Sequence, residues 1–202
     1  MVERQLRARG ISDPKVLAAF RKVPREAFVP PEYQDQAYED HPLPIGYDQT
    51  ISQPYIVALM TECLELHPSD RVLEVGTGSG YQTAVLCELA GEVYSMEFIE
   101  PLYREAKTRL ESLGYRNCTL KLGDGRLGWP EAKSFQKVIV TAGAETIPEV
   151  LTEQLVEGGK IIIPVGVGDQ DLVLARKEKG TLRTKPMIPV RFVPLQSAFK
   201  KN

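Results

Sequence analysis

No stretch of 18 apolar residues interrupts this 202-residue chain, so no segment reads as a membrane-spanning helix. The opening, MVERQLRARG, is charged and lacks the apolar core of a secretory signal. Cysteines number three, Cys63, Cys87 and Cys118, widely spaced and without a CxxC pair. That pattern argues against a disulfide framework and against a zinc site. Histidines number two, His41 and His67, both read as loop residues rather than ligands or bases. No G-x-S-x-G occurs, because Thr77 and Tyr81 flank Ser79 where glycines are required, and this excludes a serine-hydrolase elbow. Gly158-Gly159-Lys160 is followed by Ile161, not Ser or Thr, which excludes a P-loop. A formal net charge of −2 gives no global basic field for nucleic acid. These absences lead us to expect a soluble, cytoplasmic protein with no metal, membrane or nucleic-acid partner, and we expect a monomer.

What the chain does have is alternation. The first 40 residues read as accessory helices, with Ser12-Asp13-Pro14 as a helix start and Pro24 as a stop. Pro30-Pro31 and Pro42-x-Pro44 mark loop rather than core. From Pro54, the pattern PYIVALMTECLEL is helical, with Ile56, Leu59, Met60, Cys63 and Leu64 on one face. Strands and helices then take turns. Strands are expected at 71–75, 92–97, 117–122, 137–141 and 160–164, and helices at 81–89, 102–113 and 148–155. Gly158-Gly159 is read as the end of the last helix. Residues 170–195 alternate like a hairpin broken at Lys179-Gly180. Repeated β-α-β units predict an α/β doubly wound, mostly parallel sheet. One domain over 1–202 is expected, with 1–53 as helices plus a covering loop and 54–202 as the Rossmann-like core.

Val75-Gly76-Thr77-Gly78-Ser79-Gly80-Tyr81 joins the first expected strand to its helix. Glycines there permit a tight turn and close approach of a ligand, and the helix start offers free N–H groups. The spacing is G-x-G-x-G, with Tyr81 in place of the third glycine of the dinucleotide fingerprint. A nucleoside fits this loop better than a pyrophosphate. Glu97 ends the next strand, about 20 residues beyond Gly76, where an acid accepts from ribose hydroxyls. Gly123-Asp124-Gly125 ends the third strand, where an acid between glycines can accept from an adenine amine. All three lie at the carboxyl ends of successive strands, the binding edge of open α/β sheets. Together they predict a bound adenine nucleoside.

E-x-G-x-G-x-G from Glu74, an acid at the next strand end and GDG at 123–125 resemble the class I S-adenosylmethionine-dependent methyltransferases, a Rossmann-like fold with a seven-stranded sheet. QTISQP at 49–54 and PEVLTEQLVEGGKIIIPVG at 148–166 narrow the likeness to the protein-L-isoaspartate O-methyltransferase family. The resemblance implies S-adenosyl-L-methionine as cofactor. It implies that Gln49, Thr50, Ile51, Glu74, Gly76, Thr77, Gly78, Gly80, Glu97, Gly123, Asp124, Gly125 and Thr141 surround that cofactor, with Ser52 as the active-site serine. It also implies methyl transfer to the free α-carboxylate of isoaspartyl residues in unfolded or flexible segments, initiating repair through a succinimide. One departure is Asp48, where the family often has Gly.

This chemistry explains the missing histidines. Carboxyl groups titrate near ~3.5–4, so the nucleophile is ionised at neutral pH and requires no general base. The protein has to supply alignment and one modest donor, a role Ser52 suits. The residues alone leave other readings standing. Ser52 also reads as the cap of the helix from Pro54. Arg126, Trp129, Phe192, Val193 and Leu195 either line a peptide cleft or pack, and packing is preferred. Another class I methyltransferase, acting on a small molecule or RNA, remains an alternative. RNA and DNA amino-methylation are disfavoured because Thr141-Ala142-Gly143-Ala144 stands where an Asn/Asp-Pro-Pro-aromatic signature belongs. A non-catalytic cofactor-binding module is the remaining class.

Overall fold

The computed structural model describes residues 1–132 and 134–196; the end of the expected 54–202 core lies outside them. Short helical turns and α1 (Pro14–Lys22) lead into a hairpin, β1 (Leu43–Gly46) and β2 (Gln49–Ile51). Then follow α2 (Pro54–Leu64), β3 (Arg71–Val75), α3 (Tyr81–Cys87), β4 (Glu92–Glu97), α4 (Glu100–Ser112) and β5 (Cys118–Leu122). β6 (Phe135–Val140), α5 (Glu149–Glu153), β7 (Leu155–Val165), β8 (Gln170–Glu178) and β9 (Thr181–Val190) complete the order. The large sheet runs β5-β4-β3-β6-β7-β8-β9. Its first five strands are mutually parallel, and β8 and β9 return antiparallel. This is the doubly wound, mostly parallel sheet expected from the alternation, with the seven strands that the methyltransferase resemblance implies. Strand order reverses between β3 and β6, so the crevice beyond their carboxyl ends is the topological switch point.

The α1 start behaves as read: Asp13, not Ser12, is the cap, accepting from the Lys15 N–H at 2.7 Å ahead of Pro14. Leu6, Leu17, Phe20 and Phe28 of the N-terminal region share one core cluster with Tyr81, Ala84 and Val85 of α3. Tyr81 meets Phe20 and Phe28 edge-on, with ring centroids 6.0 and 5.6 Å away. The residue that replaces the third fingerprint glycine therefore anchors the N-terminal helices to the sheet.

Three expectations need correction. Pro44 lies in a strand, not a loop. An edge strand tolerates Pro, and Leu43 and Ile45 on either side of it are buried. α5 ends at Glu153, and Gly158-Gly159 lie inside β7 rather than ending a helix. Pairing jumps there from Phe135↔Leu155 to Lys137↔Lys160, and Gly158, at φ +77°, lets β7 bulge out the extra residues. Ser52 does not cap α2: Gln53 holds the cap position, and Asp40 Oδ1 accepts the Tyr55 N–H at 3.3 Å instead. The hairpin at Lys179-Gly180 forms as expected, with both residues at positive φ in a two-residue turn.

Candidate active site

At the switch point the strand ends and the β1–β2 hairpin border a cavity that opens to solvent, at the place where open α/β sheets bind ligands. Gln49, Thr50, Ile51 and Ser52 form one wall, and Gly76, Thr77, Gly78, Glu97, Gly123, Gly125 and Thr141 another. The structure thus brings together eleven of the fourteen residues singled out from sequence. Glu74, Gly80 and Asp124 stand outside the lining. Val57, Met60, Met96, Phe98, Ile99 and Leu102 add apolar surface that motif reading had not identified.

The glycine loop is held from below. The N–H groups of Gly76 and Thr77 both donate to Met96 O, at 2.8 and 3.1 Å. Gly76 sits at φ +102°, and a Cβ there would come within 2.3 Å of Thr141 Oγ1. Only glycine fits at that angle and separation. Thr141, just past β6, donates its hydroxyl to Gly76 O at 2.6 Å and so ties the two switch-point strands together. Gly80 serves packing: a Cβ there would press on Leu110 of α4 at 3.3 Å.

Glu97 is 6% exposed and accepts three backbone N–H bonds. Oε2 takes Gly78 N at 2.7 Å, and Oε1 takes Phe98 N and Ile99 N at 2.9 Å each. A carboxylate offers about four lone-pair sites, so Oε2 keeps one for a ligand hydroxyl. Asp124 is differently occupied. It accepts the Arg126 N–H at 3.0 Å and a fork from the Arg126 guanidinium at 3.1 and 2.8 Å. Its carboxylate braces the Gly123–Gly125 turn from behind.

Beneath the loop lies a hydroxyl chain. Glu74, fully buried, accepts from Thr83 Oγ1 at 2.5 Å and Ser95 Oγ at 2.6 Å. Ser95 Oγ, having donated to Glu74, accepts from Thr77 Oγ1 at 2.6 Å. Burial pushes the Glu74 carboxyl up to about 8 against the opposing pull of the two hydroxyls. Glu74 therefore supports Thr77 rather than facing the cavity. Ser95 and Thr83 carry no motif that would reveal this role.

Ser52 is half-buried, and among the described residues its hydroxyl engages no other group. Its carbonyl accepts from Arg25 Nη2 at 2.9 Å. Ser52, Thr50, Thr141 and Val193 also border a second, more apolar groove with Pro42, Ile56, Pro189 and Phe192. Val193 and Leu195 line the first cavity as well, and Leu195 also packs on the core. Trp129 packs on Tyr94, and Arg126 forks onto Asp124. His41 and His67 line neither cavity, and their rings bond Pro42 O and Ser69 Oγ. Among the described lining residues of the first cavity, Glu97 is the sole carboxylate, and Lys and Arg are absent. One acid without opposing cations suits a positively charged ligand.

Comparison with known proteins gives that geometry a family. A family model described as protein-L-isoaspartate(D-aspartate) O-methyltransferase matches residues 1–200. Protein-L-isoaspartate O-methyltransferase 2 of Pelobacter propionicus is 55% identical over 201 residues, covering 98% of this chain and 89% of the relative. The Opitutus terrae protein-L-isoaspartate O-methyltransferase is 54% identical, covering 96% and 84%. A solved protein-L-isoaspartate O-methyltransferase superposes with TM-score 0.89 at 32% identity, over 98% of this chain and 66% of that one. A Plasmodium falciparum protein assigned to the same activity, solved with S-adenosyl-L-homocysteine, gives TM-score 0.84 at 26% identity, over 96% of each. With a family match along nearly its whole length and relatives sharing more than half its residues, the chain belongs to the protein-L-isoaspartate O-methyltransferase family.

Proposed function

We infer that the protein transfers a methyl group from S-adenosyl-L-methionine to the free α-carboxylate of isoaspartyl residues in damaged proteins and peptides. The observation that carries this reading is the convergence of Ser52 and the glycine loop on one cavity whose walls, among the described residues, hold a single carboxylate and no cationic side chain. S-adenosyl-L-methionine supplies a methyl already activated on a sulfonium. Glu97, with a lone pair left on Oε2, accepts from the ribose. Gly76, Thr77 and Gly78, which line the cavity, would hold the nucleoside, and Gly123 and Gly125 would border the adenine, with Asp124 holding their turn. Gln49, Thr50 and Ile51 close the opposite wall through the β1–β2 hairpin.

Ser52 donates its unengaged hydroxyl to the substrate carboxylate and fixes its direction of attack. No side chain has to remove a proton, because that carboxylate is already ionised at neutral pH. The substrate backbone lies along the apolar groove bordered by Ile56, Phe192 and Val193, which opens next to Ser52. A flexible segment fits such a groove better than a folded surface. The nitrogen of the following backbone amide attacks the resulting ester and expels methanol to close a succinimide, and hydrolysis of that ring begins repair.

We further read the protein as a single-domain cytoplasmic monomer that does not act on nucleic acid. A net charge of −2 supports the last point, and among the described residues no helix is long and apolar enough to cross a membrane. Incubation with methyl-labelled cofactor and an isoaspartyl peptide tests the activity. Base-labile label on that peptide, absent from its normal aspartyl twin, is the expected result. Cofactor binding without transfer to the peptide would refute it.

A further inference from the structure

We propose that Arg25 is a positioning residue that presets the site for a negatively charged substrate, acting through the Ser52 peptide. The proposal rests on carboxylate methylation as the function. Arg25 is 0% exposed, although it is a cation on a short helical turn far in sequence from the glycine loop. Its Nε donates to Ala37 O at 2.7 Å and its Nη2 to Ser52 O at 2.9 Å. Its Nη1 has no hydrogen-bond partner. The guanidinium carbon lies 4.8 Å from the centroid of the Tyr81 ring, and Tyr81 itself lines the cofactor cavity.

Among the described residues no carboxylate pairs with this cation. Asp40, whose charge reaches Arg25, is ion-paired with Arg9 at 2.6 Å. Burial lowers the guanidinium to about 10, which leaves it charged at neutral pH. Buried charges are ordinarily paired, because an unpaired one is strongly unfavourable. Two carbonyls, the Tyr81 ring and hydroxyl, and the more distant Asp40 compensate part of that cost, and none of them is a carboxylate paired with the guanidinium.

The missing counter-charge matches the chemistry of the site. The cavity must admit a cationic sulfonium and an anionic nucleophile side by side. A lysine or arginine in the wall would repel the first while attracting the second. A cation placed one residue layer back, on the carbonyl of Ser52, draws the carboxylate toward Ser52 with less effect on the sulfonium. A purely structural brace between Ala37 and Ser52 requires donors but not an uncompensated charge.

Two peptides separate charge recognition from bracing: an isoaspartyl peptide, and the same peptide with its free α-carboxylate replaced by a carboxamide. The readouts are KM for the acid, the inhibition constant of the amide, and the Kd of S-adenosyl-L-homocysteine. For Arg25→Gln we expect about a tenfold rise in KM for the acid. The amide and S-adenosyl-L-homocysteine constants should stay within about twofold of wild type. An equal loss for acid and amide, or no loss for either, overturns the proposal. Arg25→Lys, assayed at pH 6.5 to keep the ammonium protonated, decides the matter if Arg25→Gln does not fold. Retained acid-over-amide preference with lower turnover supports the proposal, and loss of that preference overturns it. Absence of methyl transfer by the wild type would instead refute the function itself.

Discussion

Gly78 donates its backbone N–H to Glu97 Oε2 at 2.7 Å, so the acid expected to receive the ribose also holds the loop that receives the rest of the nucleoside. Replacing Glu97 therefore affects binding twice. Glu97→Gln removes the charge from three N–H bonds and turns an NH₂ group toward at least one backbone donor. Hydrogen bonds to charged groups contribute ~1.5–3 kcal/mol each. We expect S-adenosyl-L-homocysteine to bind ten- to a hundredfold more weakly, with a melting temperature lower by several degrees. Calorimetric titration alongside thermal unfolding checks both, and unaltered affinity would remove Glu97 from the binding site.

Ser52→Ala separates chemistry from folding. The hydroxyl caps no helix, and its loss leaves no buried partner unsatisfied. Stability should stay within about 0.5 kcal/mol of wild type. Loss of one donor to a carboxylate, ~1.5–3 kcal/mol, predicts a ten- to hundredfold fall in kcat/KM. A large drop in melting temperature with normal turnover by the folded fraction would return Ser52 to a structural role.

Much of this site was legible because its parts sit at strand ends. β3 and β4 carry the motif residues, and their hydrophobic runs stop where the sheet stops, at Val75 and Glu97. Other parts were hidden for definite reasons. Leu73 and Glu74 are both fully buried, because a parallel sheet is covered on both faces. Alternation therefore cannot tell that Glu74 lies outside the cavity lining. The glycines at 158 and 159 resemble a helix stop, but they serve a bulge defined only by the partner strand β6. Arg25 finds its acceptors at residues 37 and 52, and no periodicity links those positions.

The β1–β2 turn tests the departure at Asp48. Tyr47 and Asp48 lie at φ +54° and +56°, the two central positions of a hairpin turn that demands left-handed backbone. Asp tolerates this region better than most residues, so the turn closes despite the absence of glycine. Asp48→Gly should stabilise by roughly 0.5 kcal/mol, a rise of one to two degrees in a chain this size. Asp48→Val should lose ~1–2 kcal/mol, since branching at Cβ opposes positive φ. Because the hairpin forms the wall of the cavity, the valine variant should also raise the KM for the cofactor. Equal melting temperatures for Gly and Val would mean that the turn bears no strain.

Glu74 gives the protein a pH signature opposite to that of an ion-paired carboxylate. Its ordinary value is near 4.5 and burial raises it to about 8. Across that interval the folded state holds a proton that the unfolded state has released. Stability therefore falls as pH rises, by at most about 1.4 kcal/mol per pH unit from this one group. Below about 4.5 both states are protonated and no penalty arises; above about 8 both have lost the proton and the penalty stops growing. Glu74→Gln stays neutral throughout, and its carbonyl can still accept from Thr83 and Ser95. Its stability relative to wild type should therefore climb between pH 5 and 8 and level off beyond. Denaturant unfolding of the two proteins at matched pH measures that difference directly, because every other titrating group is shared. Parallel curves from pH 5 to 8 would mean that Glu74 is ionised in the folded protein, and that the Thr77–Ser95 chain ends on a carboxylate rather than an acid.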